Sequence, residues 1–381
     1  LNFVCQVGGI PEVEEEILKD YFSKGTIRGL KSTCVKYACL ASLEAFMDAG
    51  LSIGQEEVDW DMGCIYGCSA GDGDLARDII NAVDEGVPRS LGSRYIAQYM
   101  TSGPAAYLSQ LFGMGNHVYS NSSACSTGTE SVLMAYEKIK TGAATRMVAG
   151  SCESSSKYCW GAFDAMRVMC GKYNEDAPKA SRPMSATAGG FVPGSGAATL
   201  ILEELESAQA RGAKIYAEIR GGAMNCGGQR NGGTMTAPNR EGVQKCIQNA
   251  LKDAAISADS IDLISGHLTG TYADKIEVRN WSETLQRSGA DFPYINAPKS
   301  MIGHCLCAAG AIECIAALLQ LQHDFVHPSL NSEDTHPEIL ELIDAACIPQ
   351  QRVEHELDVV MKANFGFGDV NSCIVFQKTI H

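Results

Sequence analysis

Apolar positions along the chain follow two rhythms that alternate from one end to the other. "VKYACLASLEAFMDAGL" (35–51) repeats them every three to four residues and predicts an amphipathic helix closing at Gly50. "MGCIYGCS" (62–69) is a continuous apolar run, the pattern of a buried strand, and a Gly/Asp loop follows it. "RMVAGSCE" (146–153) and "GAATLILEEL" (196–205) predict two more strands, the second running towards a helical segment that ends near 210–214. A second series then begins with a strand in "KIYAEIRGGAMNC" (214–226), a helix in "REGVQKCIQNALKDAAI" (240–256) and a strand in "IDLISGH" (261–267). "FPYINAP" (292–298) predicts a strand, "CAAGAIECIAALLQLQ" (307–322) a buried Ala-rich helix, and "LDVVMKANFGFGDVNSCIVFQK" (357–378) two strands around a Gly-rich turn. The alternation predicts a layered α/β fold. Two consecutive series meeting near residue 206 suggest two similar halves, 1–205 and 206–381.

One junction in this pattern raises a chemical question. "NHVYSN" (116–121) has the β-branched and aromatic content of a short buried strand, and Val132, Leu133, Tyr136 and Ile139 recur at helical spacing after it. Cys125 falls in the turn between them, near a helix N-terminus, where free N–H groups and the helix dipole favour a thiolate. A lowered thiol pKa is what a nucleophilic cysteine needs, so Cys125 is a candidate nucleophile. The competing reading is a small buried residue, one of 16 cysteines. Three further segments offer partners. His267 directly follows a predicted strand, Lys299 and His304 lie five residues apart before an apolar helix, and "NFGFGDVN" (364–371) makes a tight turn with backbone N–H groups to spare.

Composition removes several classes of function. A net charge of −15 over 381 residues argues against nucleic acid or an anionic membrane as the main partner. No apolar run in the sequence approaches the ~20 residues of a membrane span, and "CIAALLQLQ" (314–322) is of buried-helix length. The cysteines are irregularly spaced with no CxxC pair, so neither a disulfide scaffold nor a metal site is expected, and the setting reads as reducing and cytoplasmic. Against the acidic background, residues 21–43 carry Lys24, Arg28, Lys31 and Lys36 and no acidic residue. That run is either a solvated helix face or a docking surface for an acidic partner.

Taken together, "ACST" around Cys125, "SRPM" and "GGFVPGSGAATLILEE" within 181–204, "GHLTGT", "KSMIGHCLCAAGA" and "NFGFGDVN" resemble the β-ketoacyl-acyl-carrier-protein synthases, condensing enzymes of the thiolase fold. The resemblance runs from about residue 20 to the end. It implies two similar α/β halves in an α-β-α-β-α arrangement. It also implies a decarboxylative condensation of malonyl-carrier with an acyl group held on Cys125, which would lengthen a fatty-acid, polyene or polyketide chain by two carbons. By the same resemblance His267 and His304 are the catalytic histidines, Lys299 the catalytic lysine and Phe367 the residue gating the acyl tunnel. Glu277, Thr269, Thr271 and Phe191 support the site structurally. Acyl carrier protein is the implied partner, docking on Lys24, Arg28, Lys31 and Lys36; a homodimer pairing strand 116–121 is implied, and no cofactor or metal. A histidine in "KSMIGH" favours an elongating synthase over a coenzyme A-dependent thiolase or initiating enzyme. Retention of Cys125 and both histidines argues against a non-catalytic chain-length-factor-like partner. The chain departs from the family pattern at Leu268 and Cys307, where glycine is usual, at "GFGDVN" and at "SATAGGF". These departures surround the site and bear on the substrate more than on the reaction.

Overall fold

The computed structural model describes residues 2–54 and 56–379, so the outer bounds of the two expected halves, residues 1 and 381, lie outside the described residues. Its first sheet holds β1 (Met62–Cys68), β2 (Val118–Tyr119), β3 (Arg146–Glu153) and β4 (Gly196–Glu203) in the order β2-β1-β3-β4. β2, β1 and β3 run parallel, and β4 runs antiparallel to β3. The second sheet is built from β5 (Glu218–Cys226), β6 (Leu263–Ser265), β7 (Tyr294–Asn296), β10 (Val359–Gly366) and β11 (Val370–Gln377), with a two-stranded ribbon of β8 (Phe325–Val326) and β9 (Val353–Glu354) beside it. Its order is β5-β11-β10-β6-β7. Read from β7, it runs parallel, parallel, antiparallel, which repeats the first sheet direction for direction before β5 is added.

Two helices lie between the sheets. Thr127–Lys140 and Ala309–His323 each follow a single 3₁₀ turn, Ala124–Ser126 and Leu306–Ala308. Each turn opens on a non-glycine residue in the left-handed region, Ala124 at φ 47° and Leu306 at φ 48°. The helices cross in van der Waals contact at Gly128 and Gly310. A Cβ on Gly128 would sit 2.3 Å from the Ala311 nitrogen, and one on Gly310 2.4 Å from the Thr129 nitrogen. The crossing therefore needs glycine on both sides. Ile65, Val132, Leu133, Cys314, Val360 and Ile374, drawn from both sheets and both helices, share one apolar cluster. Helices Thr33–Asp48 and Gly103–Phe112 cover the outer face of the first sheet, with Phe46 stacked on Phe112 at 3.7 Å. Arg240–Ala254 and Ala273–Leu285 cover the second around Trp281. The result is an α-β-α-β-α stack. β1 and β10 are buried along their whole lengths, which explains why β1 reads as an unbroken apolar run.

Three expectations are corrected. The strand expected over 116–121 is reduced to Val118–Tyr119, and at Ser120 it is the hydroxyl that donates to the Tyr66 carbonyl, at 2.6 Å. The strand expected from 214 begins at Glu218. Residues Leu306–His323 are long and apolar enough to cross a membrane by length and composition, which the sequence reading did not find; here they form the mostly buried central helix and the turn before it.

Candidate active site

Cys125 sits at the head of the first central helix and His304 just ahead of the second, so the crossing at Gly128 and Gly310 brings them together. His304 Nε2 lies 3.1 Å from Cys125 Sγ. His267, at the end of β6, stands 5.4 Å from His304 between ring centroids, at 83°. All three side chains and Lys299 are buried.

The neighbours of each imidazole fix its tautomer. The Leu306 N–H donates to His304 Nδ1 at 3.2 Å, so that nitrogen accepts and Nε2 carries the hydrogen that faces Cys125. His267 Nδ1 faces two donors, Asn364 Nδ2 at 3.1 Å and Lys299 Nζ at 3.5 Å. The Asn364 amide cannot be turned round, because its nitrogen also donates to Glu313 Oε2 at 3.2 Å while its oxygen accepts from Thr129 Oγ1 at 2.7 Å. His267 therefore also carries its hydrogen on Nε2. The site presents two neutral imidazoles, each an N–H donor. Burial holds both rings below the usual histidine range, aided by the Lys299 charge, and His304 is lowered to about 3. One atom from each of Cys125, His267 and His304 falls within 4.8 Å of the others, a separation a metal could span.

The thiol departs from expectation. A lowered pKa is predicted at the helix N-terminus, but burial pushes Cys125 up to about 12 against the Lys299 charge and a hydrogen bond from the Phe367 backbone. Depth in the core outweighs the helix end. The N–H groups around the sulfur stabilise the anion only once it forms.

Most of the remaining expected residues lie at the site. The turn carrying Phe367 presses on the nucleophile: a Cβ on Gly366 would lie 3.1 Å from the Cys125 nitrogen. Phe191 packs edge-on against His304 at 5.3 Å. Glu277 accepts the His267 and Leu268 N–H groups at 2.7 and 2.8 Å; burial raises it to about 7. Thr269 and Thr271 join their hydroxyls at 3.0 Å, and Asp274 holds the Thr269 N–H at 2.8 Å. Leu268, where glycine is usual, is buried and leans over Gly266, whose missing Cβ leaves it room. Asp369 in "GFGDVN" adopts φ 62° and anchors the neighbouring loop through the Gln229 and Asn239 N–H groups at 2.9 and 2.7 Å.

Four features escaped the sequence reading. Glu313 is the partner of Lys299 and, at 2.7 Å, of the buried Lys362. Asn364 orients His267. Phe163 bridges Phe191 and Phe367, with centroids at 5.5 and 6.1 Å. Cys34, Cys68 and Cys152 gather their sulfurs within 4.8 Å although no spacing links them. Among the basic residues, Lys24, Arg28 and Lys31 are exposed, Lys36 is half-buried and pairs with Glu15 at 2.8 Å, and the exposed Arg94 joins the group by donating to the Gly25 carbonyl.

Comparison with known proteins agrees with this geometry. Residues 19–208 match the family described as beta-ketoacyl synthase, N-terminal domain, and residues 216–333 match its C-terminal domain. The chain belongs to the beta-ketoacyl synthase family. As a member it is a condensing acyltransferase, a β-ketoacyl-acyl-carrier-protein synthase, with the thiolase-like fold its motifs implied. It is 37% identical over 350 residues to 3-oxoacyl-[acyl-carrier-protein] synthase 1 of Haemophilus influenzae, covering 90% of this chain and 81% of that one. A crystal structure of a beta-ketoacyl synthase from Burkholderia phymatum superposes with a TM-score of 0.89 at 30% identity, over 100% of this chain and 90% of that one. A type II polyketide ketosynthase bound to its acyl carrier protein and a hexaketide superposes with a TM-score of 0.83 at 30% identity, over 92% and 86%.

Proposed function

We propose that Cys125 is the acyl carrier of the condensation and that His267 and His304 stabilise the enolate formed from the extender. The observation that carries this is the pair of imidazoles, both fixed as Nε2–H donors beside one cysteine. In the first step the Cys125 thiol displaces the carrier's thiol from an acyl thioester, and the thiol proton leaves on the departing sulfur. Malonyl-carrier then loses carbon dioxide, and the electron pair left behind spreads onto the thioester oxygen. Two neutral N–H donors suit that charge better than cations, which would surrender a proton to the enolate. The carbanion attacks the acyl-Cys125 carbonyl, the Cys125 and Phe367 N–H groups hold the oxyanion, and the sulfur leaves as a thiolate that takes a proton from water. Lys299 biases the protonation of both rings through its charge. No cofactor or metal enters these steps.

The substrate arm comes from an acyl carrier protein, as in the related ketosynthase–carrier complex. Exposed Lys24, Arg28, Lys31 and Arg94 form the basic surface that an acidic carrier would meet. The acyl group is a fatty, polyene or polyketide chain. Two copies pair along β2, which is the edge strand of the first sheet. The 16 free cysteines suit a reducing compartment.

Replacing His267 or His304 with Ala tests the assignment. Malonyl-carrier decarboxylation should fall by about 100-fold, while Cys125 still accepts an acyl group from a thioester. Normal decarboxylation in both variants would remove the histidines from the mechanism.

A further inference from the structure

Lys362 occupies the interior of β10, a strand buried at every position, where a lysine needs a reason. Its ammonium is 2.7 Å from Glu313 Oε2 and donates to the carbonyls of Ser265 at 3.3 Å, Gly266 at 3.4 Å and Ala363. Ser265 and Gly266 are the two residues immediately before His267. The other oxygen of Glu313 holds Lys299, and Oε2 also accepts from Asn364, the residue that fixes the His267 tautomer. One carboxylate thus serves two ammonium groups and an amide, and both lysines reach His267, one through its preceding carbonyls and one at Nδ1.

We propose that Lys362 is a positioning residue for the condensation: it clamps the turn carrying His267 to Glu313 and supplies the second positive charge that keeps both imidazoles as Nε2–H donors. This rests on the roles given above to His267 and His304. The buried charged groups are Lys299 and Lys362 against Glu313, so the cluster is net positive while the rings are neutral. A proton added to either ring raises that charge further. The remaining groups packed round the rings do not cancel it. Glu277 from the helix Ala273–Leu285 and Glu153 from β3 are raised by burial to about 7 and about 8, so they are largely protonated at the pH where histidine titrates; Cys125 from the first central helix is raised to about 12. Cys305 and Cys314 are likewise pushed up by burial. Without Lys362, Glu313 is balanced by Lys299 alone, and protonating a ring no longer meets a net positive cluster. A unit charge about 7 Å away at an effective dielectric of about 20 moves a pKa by roughly one to two units.

The test compares K362M and K362Q with the wild-type full chain, labelled with ¹⁵N-histidine, by following the His267 and His304 ring shifts with pH. In the variants both rings should titrate at least about one pH unit higher, and the acid limb of malonyl-carrier decarboxylation should move up with them. Adding E313Q to K362M restores the charge balance and should bring the midpoints back down. Unchanged midpoints in a folded variant, or no return in the double variant, would overturn the proposal. If neither single variant folds, the wild-type titration decides, and a His267 midpoint at or above the ordinary 6.5 refutes it. The ring shifts report on Lys362 even where Cys125 takes up no acyl group, so failure of the condensation reading is separable from failure of this one.

Discussion

Gly128→Ala should destabilise this protein and disable it, although helix propensity alone says the reverse. In an exposed helix the exchange gains about 1 kcal/mol. Here the new Cβ would lie 2.3 Å from the Ala311 nitrogen, 2.6 Å from Ser151 Oγ and 3.0 Å from the Gly310 carbonyl carbon. Ordinary contact begins near 3.4 Å, so the two central helices must separate by roughly 1 Å. The obstacle is backbone, which cannot swing aside as a side-chain tip could. Overpacking of this kind costs about 3 kcal/mol at its upper end, leaving a net loss of about 2 kcal/mol after the propensity gain. Cys125 rides on one helix and His304 precedes the other, so the same displacement opens their 3.1 Å contact. A misplacement of about 1 Å between reacting groups costs about 100-fold in rate. The assay pairs a thermal melt with condensing activity and includes Gly25→Ala as control, where a Cβ would meet nothing closer than 3.8 Å. The control should be stabilised by about 0.5–1 kcal/mol, with acylation of Cys125 by a small thioester intact. A Gly128→Ala protein as stable and active as wild type would refute the crossing as the element that aligns the site.

The pH dependence of stability gives a second test. Burial raises Glu153 from 4.5 to about 8, so the folded state holds its proton after the unfolded chain has lost it. Its contribution is complete below pH 4.5 and is lost as pH rises through 8, at about 1.4 kcal/mol per unit and about 5 kcal/mol in all. Glu153→Gln should flatten that decline in denaturant melts between pH 5 and 8.5, and identical slopes would contradict it. On the surface, Arg28→Glu with Lys31→Glu should raise the apparent KM for acyl-carrier several-fold at low salt, less so as salt screens the charges. Acylation by a small thioester should be unaffected, and unchanged carrier kinetics would place docking elsewhere.

The polarity pattern made the layers legible where a strand covered on both faces, such as β1, reads as an unbroken apolar run. The four chemical residues were legible because they sit where strands end and motifs concentrate. Even the duplication left a mark: Cys125-Ser-Thr-Gly128 and Cys307-Ala-Ala-Gly310 place the crossing glycines at one offset in both halves. Glu313 was not legible, since a glutamate in an Ala-rich helix carries no sign of which way it faces. Lys362 was hidden for the opposite reason. In "VVMKANFG" a lysine reads as the solvent side of a strand, and only the second covering layer shows that β10 has no solvent side. The thiol shift was misjudged because helix direction can be read from sequence and depth cannot. The three gathered sulfurs of Cys34, Cys68 and Cys152 come from a helix and two strands that only the fold brings together.

The central claim is that chain elongation passes through an acyl group on Cys125. It is tested most directly by mass spectrometry of acyl-carrier and malonyl-carrier incubated with wild type and with Cys125→Ala. In wild type, peptide mapping should find the acyl group on Cys125 alone among the 16 cysteines, followed by a β-ketoacyl-carrier product two carbons longer. The variant should show neither adduct nor extended product. Extension that persists without Cys125, or an adduct on another cysteine that is chased into product, would contradict the account.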